Sequence, residues 1–241
     1  MARSILITGA GRGLGLEFVR QYLTRGERVF AAVRQPDRAK DSSAINNERL
    51  TIVPLDVEDP ASIKAAHAIV AKATPSLDLL INNAGVYAGS GNAVGKTNRD
   101  PESLGELTME DAVRVFRTNS AGPVLVAQAF LDLLKKSPQA KIVSVTSGYG
   151  SVSGNDGSFP YHYAASKAAL NMYMRSLAGD ARQFGGVVAV INPGWVRTDM
   201  GGPEATLSPE ESVSGMIKTI DALGADDNGS FVDYRGKRVA W

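Results

Sequence analysis

Thr8-Gly9-Ala10-Gly11-Arg12-Gly13-Leu14-Gly15 closes an aliphatic run, Ser4 to Thr8, and leads directly into a segment of helical period. Glycines at a strand-to-helix turn let the backbone bend tightly and approach a pyrophosphate, which then rests against the positive end of the helix dipole. The strict Gly-x-Gly-x-x-Gly spacing is absent. What stands instead is Thr-Gly-x-x-x-Gly-x-Gly, carried by Gly9, Gly13 and Gly15, with Arg12 and Leu14 between them. A glycine-rich turn without a ligand is the alternative reading, and the position of the motif in the first strand–helix turn weighs against it.

Outward from this loop, short aliphatic runs alternate with helix-period segments along the whole chain. Ser4 to Thr8, Arg28 to Val33, Leu50 to Leu55, Leu77 to Asn82, Lys141 to Thr146 and Val187 to Asn192 read as strands. Most are continuous apolar runs, as expected of strands buried on both faces of a parallel sheet. Helices are expected at about 14 to 24, 60 to 73, 108 to 118, 122 to 136, 160 to 183 and 209 to 223. Strand, helix, strand, repeated, predicts an α/β fold: one doubly wound Rossmann-type domain spanning residues 1–241, with a mainly parallel sheet of seven strands. Two irregular stretches, Ala88 to Gly105 and Gly201 to Pro209, follow the carboxyl ends of strands, the ligand side of an open α/β sheet.

Composition limits the chemistry. The 241 residues are 44% hydrophobic and 21% charged, contain no cysteine and only two histidines, and carry a net charge of +1. Thiolate catalysis, Cys-ligated zinc and iron–sulfur clusters are excluded, and no metal site is expected. Near-neutral charge argues against nucleic acid or a membrane surface as partner. The first apolar stretch is too short for a signal peptide and no run approaches a membrane span, so a cytoplasmic location is expected.

Cofactor choice is read where the second strand ends, at Ala31-Ala32-Val33-Arg34. An acidic residue there binds the adenosine ribose, whereas an arginine accepts a 2′-phosphate. Arg34 and Arg12 together offer two guanidinium groups to a phosphomonoester, which favours NADP(H) over NAD(H). Asp37, beyond the strand end, reads as a solvated loop acid.

Tyr163-Ala164-Ala165-Ser166-Lys167 sets a phenol and an ammonium four apart on one helical face, a weak signal alone. Taken with the glycine loop, Asn82-Asn83-Ala84-Gly85, Val145-Thr146-Ser147 and Asn192-Pro193-Gly194, it makes the whole chain resemble the short-chain dehydrogenase/reductase family. Asn192-Pro193-Gly194-Trp195-Val196-Arg197-Thr198-Asp199 and the end of the chain, Gly229 to Gly236 and Trp241, are similar to the C-factor and Sniffer-type carbonyl reductase subgroup. The resemblance implies a tetrad of Asn119, Ser147, Tyr163 and Lys167. Tyr163 would be the general acid that protonates a carbonyl oxygen as hydride arrives. A free phenol titrates near pH 10, so bringing it to about 7 takes roughly 4 kcal/mol of preferential stabilisation of the phenolate, much of it expected from Lys167. Ser147 would polarise the substrate oxygen, Lys167 would also hold the nicotinamide ribose, and Asn119 would hold a water that replenishes the proton. Family members commonly carry the serine about thirteen residues before the tyrosine. Ser147 lies sixteen before it and closes the strand, while Ser151 lies twelve before it and is the alternate.

By the same resemblance Asp56 and Val57 would meet the adenine, and Asn83 and Gly85 the adenosine ribose. Pro193, Val196 and Thr198 would surround the nicotinamide. His162 reads as a packing or surface group, His67 as solvated, and Trp195 as either pocket wall or core. Tyr149, Phe159 and Tyr161 are candidates for an aromatic lining. Val124 to Leu134 is apolar nearly all round, so the helices at 122–136 and 160–183 are expected to join copies of the chain in a homodimer or tetramer. The expected function is NADP(H)-dependent reduction of a carbonyl or oxidation of an alcohol. A nucleotide-binding sensor without turnover is the alternative, disfavoured by the intact Tyr and Lys pair.

Overall fold

The protein is described from a computed structural model covering residues 2–88 and 102–241. Most of the irregular Ala88 to Gly105 stretch, residues 89–101, therefore lies outside the described residues. Seven strands form one sheet, all parallel: β1 (Ser4–Thr8), β2 (Arg28–Val33), β3 (Leu50–Pro54), β4 (Leu79–Asn82), β5 (Lys141–Val145), β6 (Val187–Asn192) and β7 (Ser230–Asp233). Their order is β3-β2-β1-β4-β5-β6-β7. The chain runs outward from β1 to β3, then crosses back to place β4 beside β1. That reversal opens a crevice at the carboxyl ends of β1 and β4, where an open α/β sheet binds its ligand.

Side chains of successive strand residues point to opposite faces, and here both faces are covered. Leu6, Phe30, Val53, Leu80, Ile142 and Val188 pack under α3 (Pro60–Ala73), α5 (Gly122–Ala129) and α7 (Tyr161–Ala181). Ile5, Ile7, Val29, Ile81, Val143 and Ile191 pack under α1 (Gly13–Thr24) and α8 (Pro209–Ala222). The remaining helices are α2 (Lys40–Ser43), α4 (Met109–Phe116) and α6 (Leu131–Leu134). The sequence pattern does not announce α2, which is a single turn.

The structure departs from the sequence expectations in several places. The helix expected at 122–136 breaks into α5 and α6 at Phe130 (φ −97°, ψ 7°), whose ring is fully buried in the core. The outward side of α5 presents Gln128 beside Leu125, so it is less apolar than the composition suggests. His67, expected to be solvated, stands edge-on to Phe130 at 5.4 Å and pairs with Asp132 at 2.8 Å. Between α4 and α5 the chain widens into a π turn, Arg117–Ala121, rather than ending a helix at 118. Pro123 has no N–H and so cannot serve as the α-helical donor to the Asn119 carbonyl.

The seventh strand has no clear sequence signature, since Ser230-Phe231-Val232-Asp233 is short and mixed. It is completed from outside by a return of the chain: Asp233 donates to the Lys237 carbonyl at 2.8 Å and Val239 donates to that of Phe231 at 2.9 Å. This return covers an otherwise bare sheet edge. Among the described residues no helix is long and apolar enough to cross a membrane.

Candidate active site

The glycine loop, Asn82-Asn83-Ala84-Gly85, Val145-Thr146-Ser147 and Asn192-Pro193-Gly194 all leave the carboxyl ends of their strands and so reach one rim. The glycine loop leaves β1 with Gly9 at φ +66° and Gly13 at φ +54°, conformations that favour glycine. At Gly15 a Cβ would lie 2.2 Å from the Gly9 carbonyl oxygen, so the loop folds onto the start of α1 only because no side chain intervenes. Arg12 takes the N-cap position of α1 without a side-chain cap, which leaves the first-turn N–H groups facing the cleft, together with Leu14. This is a cradle of the shape and polarity that a pyrophosphate requires.

The two asparagines after β4 have separate tasks. Asn82 is buried and donates to the Ser144 hydroxyl at 3.2 Å, tying β4 to β5. Asn83 braces the glycine loop: its amide donates to the carbonyl oxygens of Thr8 and Gly9 at 2.9 and 3.2 Å. The Thr8 hydroxyl in turn accepts from the Asn83 and Ala84 N–H groups. Asn83 therefore shapes the site with its side chain and borders it with its backbone, as Gly85 does. A Cβ on Gly85 would meet Asn119 Oδ1 at 3.4 Å and Lys167 Nζ at 3.7 Å.

Asn119, fully buried in the π turn, joins three elements. Its Oδ1 accepts from Val86 N at 2.8 Å, while its amide donates to the Val86 carbonyl at 2.8 Å and to the Ser166 hydroxyl at 3.0 Å. Ser120 adds a bond to the Ser166 carbonyl at 2.7 Å. Both amide hydrogens of Asn119 are thus spent on structure.

Tyr163 and Lys167 project from the first two turns of α7 into this corner, and Ser147 meets them from the end of β5. The Tyr163 hydroxyl is hydrogen-bonded to Ser147, whose own Oγ accepts from Tyr149 N at 3.2 Å. Ser151 is buried in the following loop, where its hydroxyl accepts from Gly154 N at 3.0 Å. Of the two candidate serines, only Ser147 is brought to the phenol. The buried Lys167 ammonium donates to the Val145 carbonyl at 2.9 Å and lies 5.7 Å from the centre of the Tyr163 ring.

Burial pushes the Tyr163 phenol up to about 12; the Ser147 hydrogen bond opposes the rise, while Tyr149 and Glu102 add to it. Burial pulls Lys167 down to about 8. The phenol thus stands on the opposite side of its ordinary value from the lowering expected of Lys167. Burial is the larger effect, and the ammonium that would oppose it is bonded to the Val145 carbonyl, 5.7 Å from the centre of the ring.

On the expected cofactor side, Arg34 is exposed where β2 ends. Arg12 is exposed too, and it forms an ion pair with Asp199 across the mouth of the cleft, a partner that the sequence reading did not supply. The Asp56 carboxylate accepts from Glu58 N at 3.0 Å, and Val57 is buried among core side chains. The Pro193 carbonyl accepts from Ser212 at 2.7 Å, Val196 is buried, and the Thr198 methyl faces Gly13, 3.5 Å from where its Cβ would be.

Around the phenol the rings of Tyr87 and Tyr149 lie 5.0 and 6.5 Å from that of Tyr163, and Phe159 is 4.8 Å from Tyr149. Phe159 and the half-exposed Tyr149 stand beside the phenol, while Tyr161 is exposed at the start of α7. Trp195 is 54% exposed, which rules out a core role; its indole donates to the Gly201 carbonyl at 2.8 Å. Sequence reasoning missed Tyr87, which follows the Asn-Ala-Gly motif by only two residues, and Glu102. Nothing local to Glu102 marks it. His162 is half-buried, and its Nε2 has no hydrogen-bond partner among the described residues.

Comparison with known proteins agrees with this geometry. The model of the short chain dehydrogenase family matches residues 3–207. The C-signal protein of Myxococcus xanthus is 42% identical over 168 residues, 70% of this chain and 95% of that protein. The crystal structure of NADPH-bound carbonyl reductase from chicken fatty liver superposes with a TM-score of 0.88 at 38% identity, covering 100% of this chain and 99% of the other. Carbonyl reductase Sniffer of D. melanogaster gives a TM-score of 0.90 at 31% identity, with both chains covered in full.

A buried ammonium makes the site costly to fold. An unfolded lysine titrates at 10.5, so as pH falls the unfolded chain takes up this proton first, and stability is lost between 10.5 and about 8. The loss is complete below 8 and amounts to about 3 kcal/mol. Lys167→Met removes it and leaves the Val145 carbonyl unpaired, which offsets part of the gain. The variant is expected to be inactive, yet more stable at pH 7 by roughly 1–2 kcal/mol, a rise in Tm of about 3–6 °C. The advantage disappears by pH 9.5; thermal denaturation of both proteins at the two pH values checks it.

Proposed function

We propose, from the premise that this chain belongs to the short-chain dehydrogenase family, that it is an NADP(H)-dependent oxidoreductase reducing carbonyl substrates of apolar character. The observation that carries the reading is the hydrogen-bonded pair of Tyr163 and Ser147 beside a buried ammonium, at the rim where a glycine cradle meets two exposed arginines. The structures bound to NADP(H) among its neighbours support the choice of cofactor.

The glycine loop and the start of α1 hold the pyrophosphate, and Arg34 with Arg12 holds the 2′-phosphate, Arg12 exchanging Asp199 for it. The bound nicotinamide supplies the hydride. Ser147 hydrogen-bonds the substrate oxygen, and Tyr163 donates its hydroxyl proton to the same atom. A phenol held well above its ordinary pKa is fully protonated at neutral pH, the state a proton donor needs in reduction. Lys167 keeps two N–H groups beyond its bond to Val145 for the ribose hydroxyls and the exchange of protons. Asn119 holds the water that reprotonates the site. Tyr87, Tyr149 and Phe159 supply the apolar wall.

The protein also carries an apolar stripe that suits a second copy of itself. Met109, Val113 and Phe116 on α4 and Met172 and Tyr173 on α7 are exposed, with the Phe116 and Tyr173 rings in contact at 6.4 Å. The proposed dimer therefore uses α4 with α7, rather than mainly the 122–136 segment.

Three outcomes are expected. With NADPH and a panel of benzaldehyde, menadione, 2,3-butanedione and ethyl acetoacetate, the protein oxidises NADPH, and Tyr163→Phe falls at least about 100-fold below it. Binding of NADPH without turnover above that variant would favour the sensor reading. Arg34→Asp weakens NADPH at least about 10-fold more than NADH, as the loss of a charged phosphate contact demands; an unchanged preference removes Arg34 from the site. Small-angle scattering at micromolar concentration shows the mass of a dimer, which Phe116→Glu dissociates, whereas a monomeric wild type defeats the proposed interface.

A further inference from the structure

The catalytic helix α7 begins without a cap of its own. Its N-cap residue is Pro160, whose side chain has no oxygen to accept from the first-turn N–H groups. Uncapped donors at a partly buried helix start require a partner from elsewhere. That partner is Glu102, sixty residues earlier in the chain. Its Oε2 accepts from His162 N at 2.7 Å and from Tyr163 N at 3.4 Å, and its Oε1 accepts from Tyr163 N at 3.1 Å. A further backbone hydrogen bond comes from Ala88. Glu102 as a whole residue is 6% exposed. It therefore pins three backbone positions at once: the residue just after Tyr87, and the second and third residues of α7, the third being Tyr163 itself.

We propose that Glu102 is a positioning residue for the reaction, capping α7 from a distance so that the Tyr163 phenol is held at a fixed height beside Ser147 and against the Tyr87 ring. This inference rests on Tyr163 as the acid. Two features go beyond ordinary capping. The first is that the cap is ionic and lies next to the reacting residue, so its negative charge opposes formation of the phenolate, and the phenol stays a proton donor. The second is that the same carboxylate holds Ala88 and the first turn of α7 together, so the ring contact between Tyr87 and Tyr163 at 5.0 Å depends on it. Burial raises the Glu102 carboxyl, and the N–H donors of His162 and Tyr163 act against that rise, as befits a group used only as an acceptor.

The test compares Glu102→Gln, which keeps one acceptor oxygen and loses the charge, with Glu102→Ala, which loses both. The first readout is amide hydrogen exchange in the segment 161–164. Glu102→Ala is expected to exchange at least about 10-fold faster there, and Glu102→Gln to recover part of the protection, with no change at the far end of α7. The second is the pH profile of kcat for oxidation of benzyl alcohol by NADP⁺, or of the alcohol of whichever panel carbonyl is turned over. The rising limb reports the phenolate, and Glu102→Gln should move it to lower pH by half a unit or more while NADPH affinity stays within twofold. A purely structural cap would leave that limb in place.

Unchanged exchange in Glu102→Ala overturns the capping, and an unmoved limb in Glu102→Gln overturns the electrostatic part. Tyr163→Phe serves as the separate control. If it abolishes turnover while both Glu102 readouts stay at wild-type values, the inference fails alone; if it retains turnover, the reading beneath the inference fails with it.

Discussion

The side chain of Asn119 is the joint on which the site depends. A buried primary amide must satisfy one acceptor and two donors or forfeit about 1–3 kcal/mol for each group left unpaired. Here all are satisfied by the segment leaving β4 and by α7, through Val86 and Ser166. The π turn that carries Asn119 owes its shape partly to Pro123, and its neighbour Ser120 repeats the attachment to α7. Once these bonds are made, the height of α7 relative to the sheet is fixed, and with it the heights of Tyr163 and Lys167. Gly85 lies against the same joint, where a Cβ would come into van der Waals contact with Asn119 and Lys167.

Around that joint the polar groups are divided between shaping and chemistry. Asn82, Asn83 and Thr8 spend their hydrogen bonds on holding strand ends and the glycine loop, and Asn119 spends its amide hydrogens likewise. The hydroxyls of Ser147 and Tyr163 and two N–H groups of Lys167 remain turned to the cleft. Desolvation moves the phenol up and the ammonium down, each toward its neutral form. A neutral phenol that is reluctant to ionise suits delivery of a proton. Stability is given up at Lys167 for this arrangement, as is usual where a charge is buried for function.

Legibility in the sequence followed the range of the interaction. The glycine loop was readable because positive φ and close approach at Gly9, Gly13 and Gly15 are local demands that only glycine meets. Tyr163 and Lys167 were readable because four residues make one turn. Glu102 was not, since a cap drawn from sixty residues away leaves no local pattern, and Tyr87 stands in a loop where no period or spacing singles it out. The pairing of Arg12 with Asp199 joined two segments that nothing in the chain relates. His67 misled for the same reason: its partners, Asp132 and Phe130, are far along the chain.

The sequence by itself determined the alternation of buried strands and helices, the phosphate-binding turn, the exclusion of thiol and Cys-ligated metal chemistry, and the placing of a phenol and an ammonium on one helical face. These follow from backbone sterics, side-chain period and chemical type, which each residue carries with it. Tertiary structure alone decided which serine meets the phenol, where the seventh strand pairs, which side of its ordinary value the phenol lies on, and what caps the helix that bears it. Those outcomes depend on distance and solvent exclusion between groups remote in the chain, and neither exists until the sheet has brought them together.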